Sequence, residues 1–226
     1  MKFSVAECDN SVEFKISDFN CKYKNVIQNC FYNRVGESYV KNFPKDTKDI
    51  EVISANFIKY ADEMFNQMAY FKPVPWEEAL MAFIEKIEDK DIDWWLTGSC
   101  ALCLRGIPVM PHDVDIMMDS KDIEKVREIF ISSIVEPICD TSGWVTNHFG
   151  VAFLHARIDL AFNPQAWVDD PEPVDFGPFA MKNLEEIEWR GRYIKVPPLK
   201  LQLDVNRRRG RTDRVKLIDE YLRGSG

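Results

Sequence analysis

No stretch of about 18 uncharged apolar residues occurs in this 226-residue chain, which excludes a membrane-spanning helix. The opening residues, Met1-Lys-Phe-Ser-Val-Ala-Glu-Cys-Asp9, lack the apolar segment and small-residue cleavage site of a secretory signal, so a cytoplasmic protein is expected. Six cysteines (Cys8, Cys21, Cys30, Cys100, Cys103 and Cys139) follow no framework spacing, which speaks against a disulfide scaffold. Cys100 and Cys103 form a C-x-x-C, but no second pair stands at ligand spacing. They read as buried helix cysteines rather than a zinc or redox site. Internal repeats and low-complexity segments are also missing. Basic charge is in deficit, with 29 Lys and Arg against 37 Asp and Glu. That balance does not suit a protein gripping long nucleic acid over its surface.

The charge is unevenly distributed. Residues 1–91 carry a net −4, residues 92–189 a net −11 and residues 190–226 a net +7. An acidic middle followed by a basic end suits a site where carboxylates face cations and a separate element faces phosphates.

Hydropathy patterning predicts a mixed α/β (α+β) fold. Phe3–Ala6 and Val12–Ile16 alternate around the turn signal Asp9-Asn10, as a hairpin does. Further extended stretches are predicted around Tyr23–Tyr32 and Tyr39–Phe43. Apolar residues at helical spacing predict a helix over 48–70. Lys72-Pro-Val-Pro75 is the predicted linker, dividing an N-terminal segment (1–75) from a main domain with C-terminal helices (76–226). A second helix starts at Pro75-Trp76-Glu-Glu. Strand Trp94–Leu96, a Gly-Ser turn, a helix to Arg105 and strand Val114–Met118 follow, then a helix opened by Asp119-Ser120. Two strands at Phe149–Leu154 and Arg157–Phe162, a hairpin over Ile187–Val196 and two helices flanking Gly210 complete the reading.

Residues 94–119 carry the chemistry. In a strand, residues i and i+2 share a face, so Asp113 and Asp115 project together. Two adjacent carboxylates in an apolar strand are costly, and a divalent cation relieves both the repulsion and the desolvation. Gly98-Ser99, at a predicted helix start, offers a phosphate cradle. Asp159, isolated among apolar residues in Arg157-Ile-Asp-Leu-Ala-Phe162, is the candidate third ligand. If its strand neighbours that of Asp113 and Asp115, the three can hold two magnesium ions about 4 Å apart for in-line phosphoryl or nucleotidyl transfer.

Gly98-Ser99, thirteen intervening residues, Asp113-x-Asp115 and a later strand acid at Asp159 resemble the pattern of the nucleotidyltransferase superfamily that includes DNA polymerase beta. Within it, Leu96-Thr-Gly-Ser-Cys-Ala-Leu, Gly106-Ile-Pro-Val, Pro111-His-Asp-Val-Asp115 and His148-Phe-Gly150 are similar to small bacterial and archaeal members related to antibiotic nucleotidyltransferases. The resemblance spans about residues 92–223 and leaves residues 1–75 unmatched. It implies a mixed-sheet core, a nucleoside triphosphate donor such as ATP, and a hydroxyl acceptor; the acidic middle segment favours a small cationic acceptor such as an aminoglycoside, or a protein side chain, over a long polynucleotide. It further implies that Gly98 and Ser99 contact the triphosphate and that Asp113 and Asp115 bind both metals. Asp159 would bind the catalytic metal and take the acceptor's proton.

The arginine-rich run Arg207–Arg214 follows Lys200 and Gln202, and guanidinium forks match phosphate oxygens. Lys200, Arg207, Arg208 and Arg211 are therefore candidate triphosphate contacts. His112 and His148 are candidates for contact near the metals or, equally, turn and strand residues. Trp94, Trp95 and Trp144 have the chemistry to stack on a base, but tryptophans in strands beside a site are more often core, and the core is where they are expected. Two other functions remain open at this level. One is a non-catalytic nucleotide-binding or antitoxin-like module that uses residues 1–75 as a partner surface. The other, a tRNA nucleotidyltransferase, is disfavoured by the missing basic surface.

Overall fold

The protein is described by a computed structural model over residues 1–224. The N-terminal hairpin forms as the alternation requires. Strands β1 (Lys2–Glu7) and β2 (Ser11–Ser17) pair antiparallel with Val5 opposite Phe14, and Val12, Phe14 and Ile16 are buried. A short helix α1 (Lys24–Asn29), strand β3 (Asn33–Val35) and strand β4 (Ser38–Pro44) follow, giving a four-stranded sheet in the order β1-β2-β4-β3.

Helix α1 replaces the strand expected near residue 23. Tyr23, Val26, Ile27 and Cys30 stand at i, i+3, i+4 and i+7, a helical period that outweighs their β-branched and aromatic character. Asn20 initiates the turn by accepting from the Lys22 amide at 3.0 Å. Helix α2 (Ile50–Met68) buries Ile53, Phe57, Ala61, Met64, Phe65 and Met68 along one stripe. It lies against β1 on one side and against a strand of the second sheet on the other. The apolar core is consequently continuous from residues 1–75 into the rest of the chain.

That second sheet holds the site. After α3 (Trp76–Ile87) come β5 (Trp94–Thr97), α4 (Gly98–Leu104), β6 (Val114–Met118), α5 (Ile123–Phe130), β7 (Ile134–Asp140), β8 (Thr146–Leu154) and β9 (Ala156–Pro164). The five strands run β5-β6-β9-β8-β7, and β6 and β9 are parallel neighbours within otherwise antiparallel pairing. Strand β7 carries Pro137, which argues against a strand in sequence. It is tolerated because β7 is the sheet edge and its pairing with β8 is irregular on both sides of Glu136.

Helix α3 covers one face of the sheet, packing on β6, β8 and β9. On the other face Trp95, Met117 and Ala161 meet Ala180 of α6 (Pro178–Lys182). The hairpin β10 (Glu185–Trp189) and β11 (Arg192–Val196) leads to α7 (Leu199–Arg208) and α8 (Thr212–Gly224). Among the described residues no helix is long and apolar enough to cross a membrane.

A buried polar link joins the two sheets. Glu136 of β7 pairs with Lys41 of β4 at 2.5 Å and accepts from the Tyr32 hydroxyl at 2.9 Å. Glu136 is 1% exposed, so losing either partner would leave an uncompensated buried charge.

Candidate active site

Parallel pairing of β6 and β9 puts Asp115 directly beside Asp159, and Asp113 stands at the entry to β6. Each offers a carboxylate oxygen, and the three oxygens lie within 4.8 Å of one another. The electrostatic consequence is strong. Burial and the charges of Asp113, Asp159 and Asp175 drive the Asp115 pKa well above the ordinary carboxylate value. Burial also raises Asp113, against the pull of Arg157, Arg214 and Arg211. Asp159 rises to about 6, because burial outweighs the stabilising guanidinium of Arg157. This donor set fits a hard divalent cation: oxygen ligands of like charge that repel unless one sits between them.

Arg157 lies on the same strand two residues before Asp159. Its Nε donates to Asp159 Oδ1 at 2.5 Å, and its guanidinium is almost completely buried. Its other contacts are sulfurs from the N-terminal segment, Cys30 Sγ at 3.3 Å and Met68 Sδ at 4.0 Å. The same environment pushes the Cys30 thiol up to about 12, chiefly through burial.

Gly98 opens α4 with φ +64°. A Cβ at this position would collide with Asp115 Oδ2, so glycine is required both by backbone conformation and by the approach of the carboxylate. Gln202 of α7 donates to the Gly98 carbonyl at 2.9 Å, fastening the turn from behind. Gly98, Ser99 and the three aspartates line one cavity of about 350 Å³.

The remaining candidates divide sharply. His112 lines this cavity. Its Nδ1 lies 3.0 Å from the Met68 carbonyl, its ring packs on Tyr70 at 4.2 Å, and burial lowers its pKa. His148 stands on the opposite side of β8 from the cavity-lining Phe149 and is not part of the lining. Arg211 lines the cavity with an exposed side chain; loss of hydration lowers its pKa, helped by the neighbouring charges of Arg214 and Arg209. Lys200 pairs with Asp204 at 3.2 Å, Arg207 with Asp219 at 3.0 Å, and Arg208 with Glu172 at 2.5 Å; none of the three lines the cavity.

Several lining residues escaped the sequence reading. Arg209 and Arg214 belong to the arginine run, but their choice over Arg207 and Arg208 depends on the turn at Gly210, φ +64°. Asp175 is buried in an irregular segment without periodicity, and its backbone carbonyl accepts from Thr97 Oγ1 at 2.8 Å. Trp144 was expected in the core; it is instead 38% exposed, on the β7–β8 turn at the cavity rim. That turn places Ser142 and Gly143 at positive φ, a geometry that lifts the indole off the sheet.

Residues 79–160 match the family model described as aminoglycoside-2''-adenylyltransferase. This segment contains Gly98, Ser99 and all three aspartates. Solved structures similar to the chain include a Thermotoga maritima protein described as a nucleotidyltransferase, with 20% identity and a TM-score of 0.47. That alignment covers 64% of this chain and 91% of the other. The lincosamide antibiotic adenylyltransferase LnuA with lincomycin bound aligns at 15% identity and a TM-score of 0.47, over 64% and 97% of the two chains. A complex of ANT(2'')-Ia with adenylyl-2''-tobramycin aligns at 10% identity and a TM-score of 0.45, over 65% and 89%. No curated protein sequence matches the chain. The nucleotidyltransferase match ends at residue 160, so the arginine-bearing helices α7 and α8 and the N-terminal sheet lie outside it.

Proposed function

We propose that the protein transfers a nucleoside monophosphate, AMP from ATP, to a hydroxyl of a small-molecule acceptor with the help of magnesium. The observation that carries this reading is the convergence of Asp113, Asp115 and Asp159 within 4.8 Å, beside a glycine that no other residue can replace. The family match over residues 79–160 supports it, as do relatives described as adenylyltransferases of antibiotics.

Asp113, Asp115 and Asp159 would hold the metal. When bound, magnesium neutralises the polyphosphate and favours departure of pyrophosphate. Gly98, Ser99 and Arg211 would face the phosphates, with Arg209 and Arg214 adding positive charge along the same wall. Asp159 Oδ1 is engaged by Arg157, so Oδ2 would take the acceptor's proton. The acceptor oxygen forms its new bond to the α-phosphorus. The bond from that phosphorus to the bridging oxygen breaks, and pyrophosphate leaves with the electron pair. A protein acceptor finds no support in the comparisons.

Incubation with α-labelled ATP, magnesium and hydroxyl acceptors tests the reading. Pyrophosphate release with label appearing on the acceptor is expected, and Asp115→Asn should abolish both. ATP binding without pyrophosphate release from any acceptor would favour the non-catalytic module instead.

A further inference from the structure

The family match suggests a polycationic acceptor, but the cavity wall does not suit one. Its carboxylates are Asp113, Asp115, Asp159 and Asp175, set against Arg209, Arg211 and Arg214. Three of the four acids converge as cation ligands. The fourth, Asp175, is buried, and its surroundings include the charges of Arg209 and Arg211. Among the described residues lining the cavity, no carboxylate is left over to receive an acceptor's ammonium groups.

The wall also carries aromatic residues. Phe149 lines the cavity, and Trp144 meets it edge-on at 5.6 Å. Trp144 in turn meets Phe31 at 5.0 Å, also edge-on. Phe31 comes from the N-terminal segment, lies outside the cavity lining and is 52% exposed. Its backbone has φ +64°, a conformation unfavourable for a bulky side chain. Non-glycine residues held in that region persist where the surroundings enforce them, commonly at ligand sites. The rings stand edge-on in series, Phe149 to Trp144 to Phe31, an apolar ramp from the cavity lining to an exposed residue of the N-terminal segment.

We infer that the acceptor is an uncharged hydroxyl compound carrying an aromatic group, packed beside Phe149 and Trp144 and reaching toward Phe31, and that Phe31 gives the N-terminal segment its part in acceptor selection. This rests on the transferase reading and narrows its second substrate. Aromatic rings recognise such a compound by ring contact and by excluding water, whereas the ammonium groups of a polycation would find no unassigned carboxylate in the lining.

The experiment uses the full chain with magnesium and a non-hydrolysable ATP analogue. Binding of phenyl β-D-glucoside and of tobramycin is measured by ligand-observed saturation-transfer NMR. The aryl glucoside should bind through its ring protons and tobramycin at least ten-fold more weakly. Trp144→Ala and Phe31→Ala should each weaken the aryl probe by roughly three- to ten-fold. Affinity for the ATP analogue should stay within about two-fold in Phe31→Ala. Tighter binding of tobramycin, no binding of the aryl probe, or an aryl probe indifferent to both substitutions overturns the inference. An equal loss of ATP-analogue affinity in both variants also overturns it, because the ramp would then hold the donor base. Failure of the wild-type chain to bind the analogue with magnesium is a different result. It refutes the transferase reading itself.

Discussion

Asp115 and Asp159 face each other across one pair of strands, yet replacing each by asparagine should move the stability of the metal-free protein in opposite directions. Asp115 has like charges on several sides and burial around it. A pair of unit charges at 4.8 Å, the outer limit of the triad, repels by about 3 kcal/mol at an effective dielectric constant near 20. Partial protonation already removes some of this, so Asp115→Asn should stabilise by about 1–3 kcal/mol. Asp159 has the same neighbours but also holds Arg157, which is 3% exposed and otherwise meets only sulfur. Breaking a buried ion pair from one side costs about 3–5 kcal/mol. Relief of repulsion in the triad and the amide oxygen left as an acceptor offset part of that, so Asp159→Asn should destabilise by about 1–3 kcal/mol. For a chain of this size each kcal/mol moves the midpoint by about 2–4 °C. Thermal melts in a chelator should therefore show Asp115→Asn above wild type and Asp159→Asn below it. Added magnesium should raise wild type and leave both variants nearly unmoved. Shifts of the same sign in the two variants would refute the assignment of Asp159 as the hydrogen-bonded ion-pair partner of Arg157.

Other consequences are open to measurement. Gly98→Ala should cost about 2 kcal/mol or more and abolish transfer, because positive φ and the Asp115 carboxylate both oppose a Cβ; calorimetry and pyrophosphate release check this. Arg211→Ala should raise the KM for ATP about ten-fold or more, whereas Lys200→Ala and Arg208→Ala should stay within about two-fold, since both side chains are paired outside the cavity. Glu136→Ala should lower urea-denaturation stability by about 3 kcal/mol by stranding Lys41, and Lys41→Met in the same chain should recover part of it. Thiol titration of the folded protein at pH 8 should label Cys8 and Cys21 within seconds to minutes. Cys30, held up to about 12 by burial, should react only on unfolding.

The site was more legible in the sequence than the surroundings that give it selectivity, and the reason is physical. Asp113, Asp115 and Asp159 lie in or beside short apolar strands, where period-two geometry fixes the face of an acid; the bland reading of Asp159 as a strand carboxylate paired with Arg157 is also met, since that ion pair forms. The strand hosting Asp159 needed only one further fact, its adjacency to β6, for the three acids to converge. The arginines allowed no such reading. Five of them crowd Arg207–Arg214, and which ones reach the cavity depends on where α7 ends and how Gly210 redirects the chain. Helix α1 was misread because its aromatic and β-branched residues favour a strand while their spacing favours a helix, and the spacing won through burial of Ile27 and Cys30. That outcome matters at the site. A strand through residues 23–32 would have alternated Cys30 and Phe31 to opposite faces of a sheet. Ending a helix there instead sends the Cys30 sulfur inward to Arg157, while the positive φ of the next residue turns Phe31 out to Trp144. Two adjacent residues of the segment without a family match thus touch Arg157, the partner of Asp159, and Trp144 of the cavity lining. The N-terminal segment is therefore packed onto the candidate site rather than appended to it, and its removal should cost the support of Arg157.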